Sequence, residues 1–130
     1  MGMIKTARRS GLAPAAATAG GMLLFTVNAA SAADAANGKK IFEVCTGCHS
    51  ETARAVGPTL RGVYGRMSGS VPDYKYSAAM KRSKIVWDDQ NLHDYIVNPQ
   101  GKVKASNMSF RGVRNDKDIG DLVEFLKDYK

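Results

Sequence analysis

The sequence predicts an all-α domain in which helices near either end frame a long irregular middle. Three observations support this. Near the C-terminus Ile119, Leu122, Val123, Phe125 and Leu126 recur at helical spacing. Nowhere does the chain alternate apolar and polar residues as a half-buried strand would. Between Ser50 and Pro72 it is broken by Gly57, Pro58, Gly62, Gly65, Gly69 and Pro72. A stretch that long and turn-rich inside a small domain usually wraps something.

Taken in order, the first helix is expected over Ala35–Val44, with Asp34 as N-cap and Ile41 and Phe42 on the buried side. Gly38 lies within it. A glycine there costs about 1 kcal/mol against alanine, and often marks a point where another helix comes close. A short helix capped by Ser77 is expected over 77–84. Another over 88–97 has Leu92, Tyr95 and Ile96 as its stripe, and Asn98-Pro99 ends it. Residues 100–107 are polar and aperiodic. The last helix starts near Asn115, with Asp116 and Asp118 suited to the positive end of its dipole. Gly120 is a second possible close-contact point.

The first 32 residues read separately. Lys5, Arg8 and Arg9 precede an uncharged, Ala- and Gly-rich stretch over 11–27, and Ala30-Ser31-Ala32 is a small-residue A-x-A pattern. This is the pattern of a secretory signal peptide over 1–32 cleaved after Ala32, which leaves one domain over 33–130. A retained membrane anchor is the alternative. It is disfavoured because only Met22 to Val27 is strongly apolar. Losing three basic residues takes the net charge of the 130-residue chain from +7 to +4. That mild balance argues against a nucleic-acid binder.

The chemistry is concentrated in Cys45-Thr46-Gly47-Cys48-His49, a C-x-x-C-H run. This is the attachment signature of a c-type haem: two thiols add to the two vinyl groups, and the next residue offers an imidazole to the iron. Other readings of C-x-x-C fit less well. A zinc site wants two further ligands, but the chain has only these two Cys and one other His, His93. A thioredoxin-like pair expects a preceding strand. A redox disulfide is the remaining rival.

An electron-transfer haem usually fills both axial positions, and a thioether suits a high potential. Met67, Met80, Met108 and His93 are the available groups. Met108 follows a nonhelical segment that can cross a porphyrin face, although core packing is the ordinary role of any single Met. Pro58 or a neighbour could supply a carbonyl to the Nδ1–H of His49. The lone His93 reads as a surface residue.

From about Gly38 onward the chain resembles class I c-type cytochromes, the soluble bacterial carriers similar to mitochondrial cytochrome c. The resemblance rests on Gly38-Lys39-Lys40-Ile41-Phe42, Gly57-Pro58-x-Leu60, Tyr64-Gly65-Arg66, Tyr76, Trp87, Tyr95, Asn98-Pro99, Met108, Asp121-Leu122 and Phe125-Leu126. It implies the cytochrome c fold, with crossing N- and C-terminal helices and with loops and short helices around one covalent haem c. It implies thioether bonds at Cys45 and Cys48, and axial ligation by His49 and Met108. The Pro58 carbonyl would hold His49, and Arg66, Tyr76 and Trp87 would surround the propionates. Tyr95 would donate to the Met108 sulfur, and Gly38 and Phe42 would pack on Leu122 and Phe125. A short loop before Pro58, Met80 in place of a polar residue and Asn107 in place of a lysine point to a bacterial member.

The function so implied is a periplasmic, monomeric single-haem carrier. Membrane cytochrome complexes, oxidases or dehydrogenases would be its donor and acceptor. Lys39, Lys40, Lys102, Lys104, Arg111 and Arg114 could form a basic face that steers acidic partners. A peroxidase or gas-binding enzyme is the rival, and it would need Met108 off the iron. A dedicated subunit of a larger oxidoreductase is a third possibility.

Overall fold

The computed structural model describes Gly11 and residues 32–130. The leader expected over 1–32 therefore lies, apart from Gly11 and Ala32, outside the described residues. Among the described residues five helices follow in order: α1 (Ala35–Thr46), α2 (Ala78–Ser83), α3 (Asp89–Val97), α4 (Pro99–Lys102) and α5 (Asp116–Asp128). Among the described residues there is no strand, only an isolated antiparallel bridge between Met67 and Val86. No described helix is long and apolar enough to cross a membrane.

The Asp34 side chain caps α1, with Oδ1 accepting from the N–H groups of Ala36 and Asn37 at 2.9 and 3.2 Å. The helix runs two residues past the expected end at Val44. The N–H groups of Cys48 and His49 then both donate to the Cys45 carbonyl, at 3.1 and 2.8 Å. The helical turn is thus prolonged through the C-x-x-C-H run, and the motif is delivered on a rigid support.

α1 packs on α5, and Gly38 is the crossing point. A Cβ added there would collide with the Asp121 carbonyl oxygen and lie 2.9 Å from Phe125 Cβ. Two helix backbones can come this close only where a side chain is absent. Phe42, Phe125 and Tyr129 cluster beside the crossing, with ring centroids 4.7–5.4 Å apart. Gly120 makes no such contact, since nothing lies within 4 Å of a Cβ built on it. The close approach falls one residue later, at the backbone of Asp121.

The Asp121 side chain is completely buried. Its Oδ1 accepts from the Asp34 N–H at 2.7 Å, and its Oδ2 accepts from Asn37 Nδ2 at 2.7 Å and Lys117 Nζ at 2.6 Å. The Asp34 amide, then Lys117 and Asn37, pull its pKa down to about 2. Burial of a charge is tolerable because every donor needed is present.

The middle of the chain differs from expectation at α4. The segment 100–107 is aperiodic in sequence, but its start is helical. Pro99 sits at the first helical position, and Asn98 Oδ1 accepts from the Gly101 N–H at 2.9 Å. Proline is preorganised for that position, and a four-residue helix is too short to show a period. A second local feature pins the Gly-rich loop. Ser68 N donates to the Ile85 carbonyl at 2.7 Å, Trp87 N to the Arg66 carbonyl at 2.9 Å, and Ile85 N to Ser68 Oγ at 3.0 Å. This pairing turns Val86 outward and Trp87 into the interior.

Candidate functional site

The helices and the Gly-rich loop enclose a cavity of about 250 Å³. All nine residues singled out from the sequence line it: Cys45, Cys48, His49, Pro58, Arg66, Tyr76, Trp87, Tyr95 and Met108. They come from α1, the loop, the approach to α3, α3 itself and the segment after α4. Much of the apolar core doubles as cavity wall, including Phe42, Met80, Leu92, Ile96, Leu122 and Leu126.

His49 is buried, and its Nδ1 lies 2.7 Å from the Pro58 carbonyl. A carbonyl can only accept, so Nδ1 carries the proton and Nε2 is left with a free lone pair. Gly57 allows this packing. A Cβ there would fall 2.5 Å from His49 Cε1 and 2.6 Å from Nδ1. The Gly57 N–H also donates to the Cys48 carbonyl at 2.7 Å, tying the loop to the motif. Cys45 and Cys48 are free thiols, and burial followed by the neighbouring Cys48 pushes the Cys45 thiol up.

Of the other candidate ligands, Met67 is 45% exposed and away from the cavity. His93 lines a separate hollow with Asp94, Asn98 and Lys102, and its Nε2 lies 3.6 Å from Asp116. Met80 and Met108 both line the main cavity. Gln100 Nε2 donates to the Met108 carbonyl at 3.0 Å and to the Ser106 carbonyl at 2.9 Å, which holds that loop in place. The Tyr95 hydroxyl does not take the expected partner. It donates to Ser106 Oγ at 3.3 Å rather than to the Met108 sulfur, because Ser106 lies on the same loop and is the better acceptor. Burial raises the pKa of Tyr95 and of Tyr76.

Arg66 donates through Nη2 to the Thr59 carbonyl at 2.8 Å and through Nη1 to the Arg61 carbonyl at 2.9 Å. Burial lowers its pKa, but a guanidinium remains charged. Among the described residues its remaining N–H groups have no partner and can serve an anion. The Tyr76 oxygen accepts from the Val71 N–H at 3.2 Å, so its own proton is still available to donate. Sequence reasoning missed Tyr74, which lines the cavity and donates to the Val56 carbonyl at 2.8 Å. Its edge-to-face contact with Tyr76, with centroids 4.7 Å apart, has no sequence signal beyond two aromatics at i and i+2.

The cytochrome c family model matches residues 35–130. The chain belongs to the cytochrome c family. It is 44% identical to a cytochrome c of Euglena viridis over 75% of this chain and 98% of that one. It is 37% identical to a cytochrome c2 of Blastochloris viridis, over 83% and 87% respectively. Among solved structures, cytochrome cH from Methylobacterium extorquens superposes with a TM-score of 0.69 at 38% identity, covering 72% of this chain and 97% of that chain. This cytochrome c therefore carries a covalently attached haem c and serves electron transfer between redox partners rather than enzymatic turnover. The cavity suits that group. It has two free thiols, an imidazole with an unprotonated nitrogen, an apolar wall, and the Arg66 and Tyr76 donors for carboxylates.

Proposed function

We propose that this cytochrome c is an exported, periplasmic carrier of single electrons in which Cys45 and Cys48 form the thioethers and His49 and Met108 are the axial ligands. The observation that carries the reading is the His49–Pro58 hydrogen bond. It fixes the tautomer that leaves Nε2 bare, in a cavity that Met108 also lines. When bound, the haem supplies a one-electron ferric/ferrous couple. The chain's own residues supply the rest. The apolar wall excludes water, so few dipoles must reorient when the charge changes. Arg66, Tyr76 and Trp87 meet the propionates, whose burial needs donors. Tyr95 supports Met108 indirectly, through Ser106.

Export is supported by the charged, apolar and small-residue pattern over 1–32. A bacterial setting is supported by the relatives named cytochrome c2 and cytochrome c-550. Donor and acceptor would be membrane cytochrome complexes, oxidases or dehydrogenases, met by a monomer in brief encounters. Of the basic residues proposed to steer them, Lys102 is drawn into an ion pair with Asp94 at 2.9 Å. The steering charge then falls to Lys39, Lys40, Lys104, Arg111 and Arg114.

Met108→Ala and Met80→Ala holoproteins test the ligand set. The Met108 variant is expected to lose the sulfur-to-iron(III) charge-transfer band and to show a lower midpoint potential in an optical redox titration. The Met80 variant is expected to keep the band. The opposite pattern would exchange the roles of the two thioethers.

A further inference from the structure

A second docking face lies away from the basic residues discussed so far. In the Met67–Val86 bridge the paired side chains emerge on one side. They are 45% and 43% exposed, while the neighbours Ser68 and Trp87 are buried. Gly69 carries this segment onto α2, where a Cβ on it would lie 3.1 Å from Lys81 Cα. Lys81 and Arg82 occupy the last turn of α2, and Lys84 follows as its C-cap. All three cations are exposed, and none forms an ion pair among the described residues. Directly beneath, Met80 and Trp87 form part of the cavity wall.

The backbone at Lys84 is the second observation. It is left-handed, with φ 51° and ψ 34°. A helix C-terminus favours glycine in that conformation, because a Cβ crowds the following carbonyl. The helix ends on a left-handed residue, and a lysine there carries strain that a glycine would not; such strain concentrates at functional positions.

We propose that Met67, Val86, Lys81, Arg82 and Lys84 form a docking face for a redox protein with an acidic rim around an apolar spot. The inference rests on the carrier reading above and gives the molecule a second point of approach to its cavity, through Trp87 and Met80. Two half-exposed apolar side chains match the small apolar centre of a transient interface. They offer less than the broad apolar face with which a helix enters a lipid surface. Three unpaired cations supply the steering for a carboxylate-bearing partner.

The test uses the ferrous holoprotein, an acidic plant-type ferredoxin as the carboxylate-surfaced probe, and vesicles of anionic phospholipid as the competing arm. Amide resonances of residues 67–69 and 81–86 are expected to shift on adding ferredoxin at low ionic strength. Lys81→Glu with Arg82→Glu is expected to weaken the apparent Kd roughly tenfold. Lys84→Gly is expected to weaken it as well, while Tm stays level or rises. Shifts confined to Cys48, Val56 and residues 102–111 would overturn the proposal, as would vesicles moving residues 67–86 where ferredoxin does not. A Lys84→Gly protein that is more stable and binds unchanged would also overturn it. The carrier reading fails separately, by loss of a reversible one-electron couple in the wild-type protein.

Discussion

Asp121 carries a charge into the place where the two terminal helices meet. Its carboxyl is held at about 2 by the Asp34 amide, Lys117 and Asn37, whereas an unfolded aspartate titrates near about 3.9. A depressed folded value means that the fold favours the ionised form. Its contribution is complete above about pH 4 and is lost as pH falls towards about 2. Asp121→Asn is therefore expected to lower the urea midpoint at neutral pH and to flatten the decline between about pH 4 and 2. Midpoints measured across that range check this, and a variant with the wild-type pH profile would remove Asp121 from the account. None of this was legible beforehand. An aspartate at i+2 from Ile119 looks like a solvated helix position until α1 brings Asp34 and Asn37 to it. Cys45, Cys48 and His49 were legible, because their meaning resides in spacing along one turn.

Among the elements, the α1–α5 crossing depends on Gly38. Gly38→Val is expected to destabilise the protein by about 3 kcal/mol, since the new side chain meets backbone that cannot move aside. In a domain this size that corresponds to a fall in Tm of more than about 10 °C, measurable by far-UV circular dichroism. A Gly120→Ala variant is expected to keep or raise Tm, because space is open there and alanine is the better helix former. The contrast shows the limit of reading glycines from sequence. Both are glycines inside a helix, and the register of the partner helix separates them. α1, α3 and α5 were legible from their caps and periods. α4 was not, since one turn has no period.

At the scale of the whole molecule, the core is built around its cofactor. Phe42, Met80, Trp87, Leu92, Tyr95, Ile96, Leu122 and Leu126 are at once core residues and cavity wall. Without haem these surfaces have no filler, and a domain of about 100 residues buries little else. Cys45→Ala with Cys48→Ala, purified without haem, is expected to lose near-UV circular dichroism, to bind a hydrophobic dye and to keep only part of its helix. Retention of cooperative thermal unfolding in that protein would contradict this.

The sequence by itself determined the all-α class, the haem motif and the capped helix starts, because these depend on spacing within a turn or on a single capping side chain. The tertiary structure decided the matters that depend on approach between distant segments. It removed Met67 and His93 from the cavity but kept both Met80 and Met108 on its wall. It gave the Tyr95 hydroxyl to Ser106, placed a carboxylate at the helix crossing, and set a strained Lys84 beside an apolar bridge. Those outcomes follow from which backbones can come within a few ångströms of one another, and no local pattern encodes that distance.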